Sequence, residues 1–221
     1  MIRQRLMFLF VMAAAAVAVL CCGCSDNGIG GAIFEQKIED GKVPYTTGSF
    51  TDSRDGKTYK TTKVGNNKEW MAQNLNYDTA NGSWCYENHD YNCDKYGRLY
   101  DWWTATKVCP SGWHLPSRQE WDNLVSAVGS LAGVRLKAKS GWNNGGNGSD
   151  DVEFSALPGG FRYSYGYFDT AGGSGRWWTA TEGGDDGAYG RSMRYNYDYV
   201  DEYDYYYDLK YSGYSVRCVK D

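Results

Sequence analysis

Three patterns of hydrophobic and polar positions divide the chain. An apolar run without a charged residue extends from Leu6 to Leu20. From Lys57 to Val64 the side chains alternate between two faces, which is the period of a strand, and Lys68–Met71 follows closely enough to predict a β-hairpin. Between residues 117 and 129 apolar residues return every three or four positions, which is the period of an amphipathic helix.

The helix has local signals at both of its ends. Ser117 is an N-cap residue, Glu120 three positions later completes a capping box, and Gly129 supplies the residue that ends the helix. A second, shorter helix is expected from about Ser130 to Lys137, with Gly133 as an unfavourable interior residue. The apolar stripe of the first helix consists of Trp121, Leu124, Val125 and Val128.

Short runs rich in aromatic and β-branched residues follow the polar, glycine-rich stretch NNGGNGSDD. Runs of this length bounded by turn residues predict strands. We therefore expect an α+β fold, with one or two helices packed on a twisted antiparallel sheet and long loops. The expected strands are Phe154–Ala156, Gly160–Tyr165, Arg176–Thr181, Gly187–Tyr197, Tyr203–Tyr211 and Ser215–Val219.

The N-terminal apolar run has about 15 residues, whereas a membrane-spanning helix needs roughly 20. Two arginines and no acid precede it, which is typical of an export signal. The run ends in Cys21–Gly23, and Cys24 follows, an arrangement that resembles the lipobox of bacterial lipoproteins. We therefore expect residues 1–23 to be a signal peptide and Cys24 to be lipidated, with Cys22 as a second candidate and an ordinary secretory signal as the alternative.

Ser25 follows the expected lipid cysteine, where an Asp would favour retention at the inner membrane of diderm bacteria. We therefore expect an outer-membrane lipoprotein, and the sequence leaves open whether the protein faces the periplasm or the cell surface. Residues 24–48 contain few aromatic residues and are interpreted as a tether. Nine Trp and 20 Tyr, all beyond residue 44, indicate one folded domain at 49–221.

The charge of the chain limits its partners. The formal net charge is −4, and it becomes about −6 without residues 1–23 because two arginines and no acids are lost. Nucleic-acid binding depends on basic patches, so this class of partner is not expected. Electrostatic attraction to anionic lipids is not expected either, and attachment to the membrane would depend on the N-terminal lipid.

Four cysteines remain after the N-terminal three, and an even number in an exported protein predicts two disulfides. Three pairings are possible. Cys85 and Cys93 are close in sequence and flanked by turn-forming residues, which favours a hairpin-like clip between them. This choice leaves Cys109 to pair with Cys218.

The stretch YNYDYVDEYDYYYDLKY, residues 195–211, contains eight tyrosines and five acids. As a hairpin with a turn at Val200–Glu202, it would carry a ladder of tyrosines. Such a ladder either stabilises the sheet through cross-strand pairs or offers a binding face with broad apolar contact and hydroxyl groups. The tyrosines on the two expected strand faces are Tyr195, Tyr197 and Tyr199, and Tyr203, Tyr205 and Tyr207.

The sequence contains two pairs of adjacent tryptophans, Trp102-Trp103 and Trp177-Trp178, whose side chains could either pack in the core or bind a ligand. Neighbouring side chains of a strand point in opposite directions, so one member of each pair is expected in the core and the other outside. The sequence does not show which member of each pair faces outward; Trp103 and Trp178 are taken as the candidate ligand-binding residues, and core packing is the alternative for each.

Calcium is the one cofactor that the residues suggest. Asn and Asp oxygens from long loops are suitable calcium ligands. The alternative is that these side chains shape a glycine-rich turn, because their spacing differs from that of an EF-hand. The candidate ligands in NNGGNGSDD are Asn143, Asn147, Asp150 and Asp151.

Several long motifs occur in a fixed order, among them DSRDGKTYKTTKVGNNKEWMAQNLNY, CPSGWHLPSRQEWDNL, GWNNGGNGSDDVEFSALPGGFR, RWWTATE and YSVRCVKD. Over about residues 50–221 they resemble the Fibrobacter succinogenes major paralogous domain. The resemblance implies a bacterial surface or secreted protein, often a lipoprotein, and implies no reaction.

A more remote resemblance concerns the fold. The CPSGW motif and Cys218 resemble the long-range disulfide of C-type lectin-like domains, which implies the Cys109–Cys218 pairing. The motif HLPSRQEW is similar to a helix start of formylglycine-generating (sulfatase-modifying) enzymes, which share that general fold. Function does not follow from this likeness.

No catalytic set is recognised in the sequence. A thiolate pair of Cys109 with His114 would fail if Cys109 were in a disulfide, and His89 and His114 are otherwise isolated. We therefore expect a lipid-anchored, non-catalytic domain that binds a glycan or a surface protein. An enzyme related to the formylglycine-generating class and a purely structural envelope protein are the alternatives.

Overall fold

Four α-helices and a series of short strands make up the computed structural model, which describes residues 42–202 and 208–221. This mixed content confirms the predicted α+β class. In the described part of the chain, no helix has the length and apolar character needed to cross a membrane. The helices are α1 (Asp90–Tyr96), α2 (Trp102–Val108), α3 (Arg118–Val128) and α4 (Ala132–Leu136), and single 3-10 turns occur at Tyr86–Asn88 and Asn143–Gly145.

The strands are short, and most lie in two sheets. The strands are β1 (Tyr45–Thr51), β2 (Thr58–Val64), β3 (Glu69–Met71), β4 (Ser83–Trp84), β5 (Leu99–Tyr100), β6 (Trp113–His114), β7 (Phe161–Arg162), β8 (Phe168–Asp169), β9 (Ser174–Glu182), β10 (Gly187–Arg194), β11 (Asp201–Glu202), β12 (Asp208–Leu209), β13 (Tyr214–Ser215) and β14 (Val219–Lys220). One sheet has the order β1-β2-β3-β14-β6, and the other has the order β11-β10-β9-β13-β5-β4, with β12 also paired to β10. Strands β7 and β8 form a separate ribbon, and β13 runs parallel to β9.

The predicted hairpin is present as β2 and β3, in which Thr62 lies opposite Trp70. A further strand, β1, pairs with β2 along its whole length, from Tyr45 opposite Val64 to Thr51 opposite Thr58. Residues 45–48 were predicted to belong to the tether but are part of the sheet. The sequence YTTGSFT is mostly exposed and lacks a hydrophobic alternation, so its pattern gave no signal for a strand.

Several other predicted strands differ in their bounds. Residues 154–156 form no strand, and only an isolated bridge joins Ala156 to Lys137. The strand predicted to reach Tyr197 ends at Arg194, and the run predicted at 215–219 is divided between β13 and β14. The division leaves residues 216–218 outside both strands, where their side chains are buried.

Two hydrophobic cores lie on opposite sides of β9. Trp177 packs with Trp70, Trp121 and Phe154 in one core, whereas Trp178 packs in the other core. Both indoles are fully buried. The expectation that one member of this Trp pair would face outward is therefore wrong: the two side chains do alternate, but protein covers both faces of β9.

The helix predicted from the capping box is α3. The Ser117 hydroxyl accepts from the Glu120 amide at 3.2 Å, and a Glu120 carboxylate oxygen accepts from the Ser117 amide at 2.8 Å. Trp121, Leu124 and Val128 are buried on the inner face of the helix. The second predicted helix is α4, which is shorter than expected at both ends.

Two disulfides join Cys85 to Cys93 and Cys109 to Cys218, as predicted. The first connects the residue before a 3-10 turn to α1, so it closes a helical segment and not a hairpin. The second ties the end of α2 to the residue before β14 and closes a loop with a sequence separation of 109. In the chain-entropy model a loop of this size stabilises the fold by about 5 kcal/mol, against about 2.5 kcal/mol for the short one.

Arg217 is fully buried, and its guanidinium donates hydrogen bonds to an amide oxygen and to backbone carbonyls. Its Nε donates to Asn74 Oδ1 at 2.8 Å, Nη2 donates to the Ser155 carbonyl at 2.8 Å, and Nη1 donates to the Phe154 carbonyl. Burial lowers the pKa of Arg217 to about 9, so the guanidinium remains charged at neutral pH. The charge therefore holds the loop that contains Phe154 against the sheet.

His114 lies between two carboxylates. Its Nε2 is 2.9 Å from Glu120 Oε1, and its Nδ1 is 2.6 Å from Asp221 Oδ1. A neutral imidazole can donate from one nitrogen only, whereas an imidazolium can donate to both carboxylates. Partial burial opposes protonation, but the hydrogen bonds to Glu120 and Asp221 outweigh it and raise the pKa of His114 above 6.5.

We expect the His114→Gln substitution to lower the free energy of unfolding more at about pH 5.5 than at about pH 9. A raised folded-state pKa stabilises the fold fully below the unfolded pKa, and this contribution disappears as the pH rises through the folded pKa. The effect should be about 1 kcal/mol or less because the side chain is 37% exposed. Urea unfolding at the two pH values measures it.

The matched control is His89→Gln, which makes the same substitution at a ring that stacks on Tyr91. Its effect on stability is measured at the same two pH values. An equal loss at both pH values for His114→Gln would show that the bridge to the carboxylates does not depend on protonation.

Candidate functional site

Residues Tyr195–Tyr199, called the tyrosine segment below, form a turn after β10 and not a continuation of the strand. The amide of Tyr197 donates to the carbonyl of Arg194 at 3.2 Å. The three tyrosines of the segment therefore do not share a strand face, which corrects the predicted ladder. The predicted turn at Val200–Glu202 is also wrong, because Asp201–Glu202 is strand β11 and pairs with β10.

Two glycines allow the tyrosine segment to lie directly against neighbouring backbone. A Cβ atom on Gly146 would overlap the backbone of Tyr195, and one on Gly133 would overlap the backbone of Tyr199. The Gly133 amide also donates to the Asp198 carbonyl at 3.0 Å. The glycine-rich loop and α4 thus fix the two ends of the segment.

Lys137 holds the middle of the tyrosine segment. It is 2% exposed, and its ammonium donates to the carbonyls of Arg194 at 3.1 Å and Tyr197 at 2.9 Å. Burial lowers the pKa of Lys137, and the nearby Asp198 carboxylate opposes this change. The ammonium lies 5.3 Å from the centre of the Trp142 ring, so its position under the turn is fixed from both sides.

A depression of about 300 Å³ lies between the tyrosine segment and the loop at Gly145–Asn147. Tyr195 is 36% exposed and Tyr199 is 49% exposed, and the Tyr197 and Tyr199 rings stack with their centres 4.9 Å apart. Amide groups and the exposed Asp198 carboxylate border the same surface. Such a surface can stack on a ligand ring and form hydrogen bonds with its substituents.

The structure brings two sequence-predicted features together at this depression, because Asn147 lines it beside Tyr195 and Tyr197. The Oδ1 atom of Asn147 accepts from the Trp142 amide at 3.0 Å, so it helps to shape the loop. The side chain of Asn143, another predicted calcium ligand, packs closely against Gly172, and its backbone N–H donates to the Gly172 carbonyl at 2.8 Å.

The two predicted aspartate ligands also have contacts inside the protein. Asp150 accepts from the amide and the hydroxyl of Ser155 at 2.7 and 2.6 Å, and Asp151 lies 3.5 Å from the Arg135 guanidinium. Within residues 42–202 and 208–221, no cluster of three or more His, Cys, Asp and Glu side chains is arranged for a metal ion. A calcium site remains a prediction from the sequence.

Some of the predicted residues lie outside the part of the chain that the structure describes. These are the expected lipidation site, Cys24, and the second half of the tyrosine ladder, Tyr203, Tyr205 and Tyr207. Among the described candidates, Trp178 is fully buried and so cannot contact a ligand, which corrects its selection as a binding residue. Trp103 is 36% exposed, in keeping with its selection.

The thiolate pair considered for Cys109 and His114 does not form. Cys109 is bonded to Cys218, and His114 is held by its two carboxylates.

The sequence reasoning missed a second group of exposed tyrosines, at the β7–β8 turn. Tyr163 and Tyr165 stack with ring centres 5.0 Å apart, and Tyr165 and Tyr167 are 68% and 72% exposed. Their alternation with Ser164 and Gly166 was a usable signal, because every second residue of a hairpin points to the same face.

We expect Lys137→Met to destabilise the protein by about 1–3 kcal/mol, because two carbonyls would lose their buried donor. The amides of the tyrosine segment should also exchange hydrogen faster than in the unaltered protein. Urea unfolding and hydrogen exchange measured by mass spectrometry test both expectations.

Lys139→Met is the matched control, since it removes the same charge from an exposed side chain two residues away. It should change stability by about 0.5 kcal/mol or less. Equal effects of the two substitutions would contradict a special role for the Lys137 ammonium.

Comparison with known proteins gives one match. The model of the Fibrobacter succinogenes major domain matches residues 62–220, from within β2 to the end of β14. No curated protein and no solved structure matches the chain, so the remote likeness to C-type lectin-like folds remains a prediction. The chain belongs to the Fibrobacter succinogenes major domain family.

Proposed function

We propose that this protein is a lipid-anchored cell-envelope protein whose domain binds a glycan without catalysing a reaction. The observation that carries the proposal is the tyrosine segment. It presents Tyr195 and Tyr199 to solvent beside a depression, while buried contacts hold its backbone in one conformation. A preordered aromatic surface loses little conformational entropy when a ligand binds.

The chemistry of this depression suits a sugar ring. A pyranose has apolar C–H faces that can pack on tyrosine rings, and its hydroxyls can both donate and accept hydrogen bonds. Asn147 and Asn196 offer amide groups at the edge of the depression, and Asp198 offers a carboxylate. An apolar protein partner would leave these polar groups without hydrogen-bond partners. The polar edge of the depression therefore favours a glycan over a surface protein.

The fold that we propose for the domain is a variant of the C-type lectin-like fold. Three features support this: the long-range Cys109–Cys218 disulfide, a C-terminal strand paired inside the first sheet, and helices packed against the sheets. The same disulfide supports a non-catalytic role, since the alternative of a formylglycine-generating activity would need these cysteines as free thiols. A purely structural envelope role remains the other alternative.

Membrane attachment through Cys24, with sorting to the outer membrane, completes the proposal. It rests on the lipobox-like arrangement of residues 21–24 and on Ser25. Two or three acyl chains would hold the domain firmly without any contribution from basic residues.

We expect the purified protein to bind particular sugars on a glycan array, and the double variant Tyr195→Ala with Tyr199→Ala to bind them at least tenfold more weakly. The loss would follow from removal of the exposed rings, while the buried contacts of the turn remain. Titration of the best array ligand by calorimetry measures the change.

Tyr91→Ala is the control, because this tyrosine is 63% exposed but lies on α1. It should leave affinity unchanged. No binding of any sugar by the unaltered protein would contradict the glycan proposal, and unchanged binding by the double variant would place the site elsewhere.

The anchor has its own test. The protein extracted from membranes should have an intact mass that includes acyl groups, and Cys24→Ala should abolish this added mass and release the protein from the membrane fraction. Cys22→Ala is the matched control, and acylation that depends on Cys22 instead would overturn the assignment.

A further inference from the structure

A second depression, of about 340 Å³, lies beside the first turn of α2. It shares no lining residue with the depression at the tyrosine segment. Aromatic, hydroxyl and charged side chains all contribute to its walls, a mixture typical of sites that bind small polar ligands. The residues that matter for its chemistry are Arg54, Tyr77, Asp101, Trp103, Thr104 and Lys107.

Trp103 provides a fixed aromatic wall. It lies in the first turn of α2, whose N-cap residue Asp101 accepts from the Thr104 amide at 2.8 Å. The neighbouring Trp102 points inward and donates its indole N–H to the Thr179 carbonyl at 2.9 Å, so the helix cannot rotate about its axis. Tyr211 packs edge-on against the Trp103 ring, with the ring centres 4.6 Å apart, and is itself 62% exposed.

Arg54 provides a positively charged wall that is equally fixed. Its guanidinium donates to the buried Asp52 carboxylate, at 2.6 Å from Nη2, and to the Val108 carbonyl at 2.8 Å from Nη1. It lies 3.9 Å from the centre of the Tyr77 ring. A guanidinium has more N–H donors than these partners use, and 28% of the side chain remains exposed.

Lys107 adds a second positive charge one turn further along α2. Its side chain is exposed, and among residues 42–202 and 208–221 it has no ion-pair partner. Two cations, Arg54 and Lys107, and one carboxylate, Asp101, thus line the depression beside the Trp103 indole. Asp52, the counter-charge of Arg54, is fully buried behind it.

We propose that this depression binds a carboxylate-bearing pyranose, such as a uronic acid residue of a polysaccharide. The sugar's C–H face would pack on Trp103, with Tyr211 at the edge of the platform. Its carboxylate would accept from Lys107 and from the outward N–H groups of Arg54. The Thr104 and Asp101 side chains also line the depression and add polar groups to its wall.

The charge arrangement selects this class of ligand over a neutral sugar. Aromatic stacking alone would accept either sugar, but only a carboxylate adds a negative charge that is attracted to both Lys107 and Arg54 in addition to accepting their hydrogen bonds. The site is independent of the glycan site proposed at the tyrosine segment, since the two depressions share no lining residue.

Calorimetric titration of the purified full-length protein with trigalacturonate and with neutral galactotriose tests the proposal. We expect saturable binding of trigalacturonate, at least tenfold weaker binding of galactotriose, and weakening of trigalacturonate binding by added salt. Lys107→Gln should lower the affinity for trigalacturonate at least fivefold, while Lys107→Arg, which keeps the charge, should retain it.

Trp103→Ala should abolish binding of trigalacturonate, and Trp103→Phe should retain part of it, with thermal unfolding used to check that each variant is folded. Tyr195→Ala, at the other depression, should leave this binding unchanged. Equal affinity for the charged and neutral sugars, absence of saturable binding, or insensitivity to Lys107→Gln would each overturn the proposal. If the variants of the tyrosine segment did not affect glycan binding, the proposal for the tyrosine segment would fail, but the uronic acid site beside α2 would not be contradicted.

Discussion

Burial of the Arg217 guanidinium is the constraint on which much of the structure depends. A buried guanidinium must have its N–H groups satisfied by hydrogen-bond acceptors, and among the described residues these come from two distant parts of the chain, residues 71–74 and 154–155. Asn74 is the connecting residue, because its Oδ1 accepts from both Arg217 and the Trp177 indole while its Nδ2 donates to the Tyr96 carbonyl. The strand pairings, the Phe154 loop and the core on one side of β9 are therefore positioned together.

The surfaces proposed to bind ligands depend on this interior without being part of it. α2 is fixed at its end by the Cys109–Cys218 disulfide, and Cys218 is the next residue after Arg217. The tyrosine segment is fixed by a second buried cation, Lys137, whose acceptors are also carbonyls. Arg217 and Lys137 are thus buried charges whose hydrogen bonds hold neighbouring loops in place. The exposed aromatic side chains are attached to backbone that these contacts restrain.

The sequence predicted an element correctly where the residues that determine it are close together in the chain. The capping box and apolar stripe of α3 lie within thirteen residues, Ser117–Gly129, and predicted the helix correctly. The tyrosine segment was predicted wrongly because its alternation resembles a strand, whereas its turn is imposed by Gly133, Gly146 and Lys137, all about 50 residues or more earlier. The sequence also did not predict that both faces of β9 are buried, because a run such as RWWTAT does not show which elements pack against each face of the strand.

The position of β14 has a consequence for export. This strand lies between β3 and β6, so the first sheet is incomplete until residues 219–220 have joined strands that precede them by more than 100 positions. Contacts of such long range form slowly and late. If the chain is exported as proposed, it would stay unfolded until nearly all of it had crossed the membrane, and the Cys109–Cys218 disulfide would form only after that.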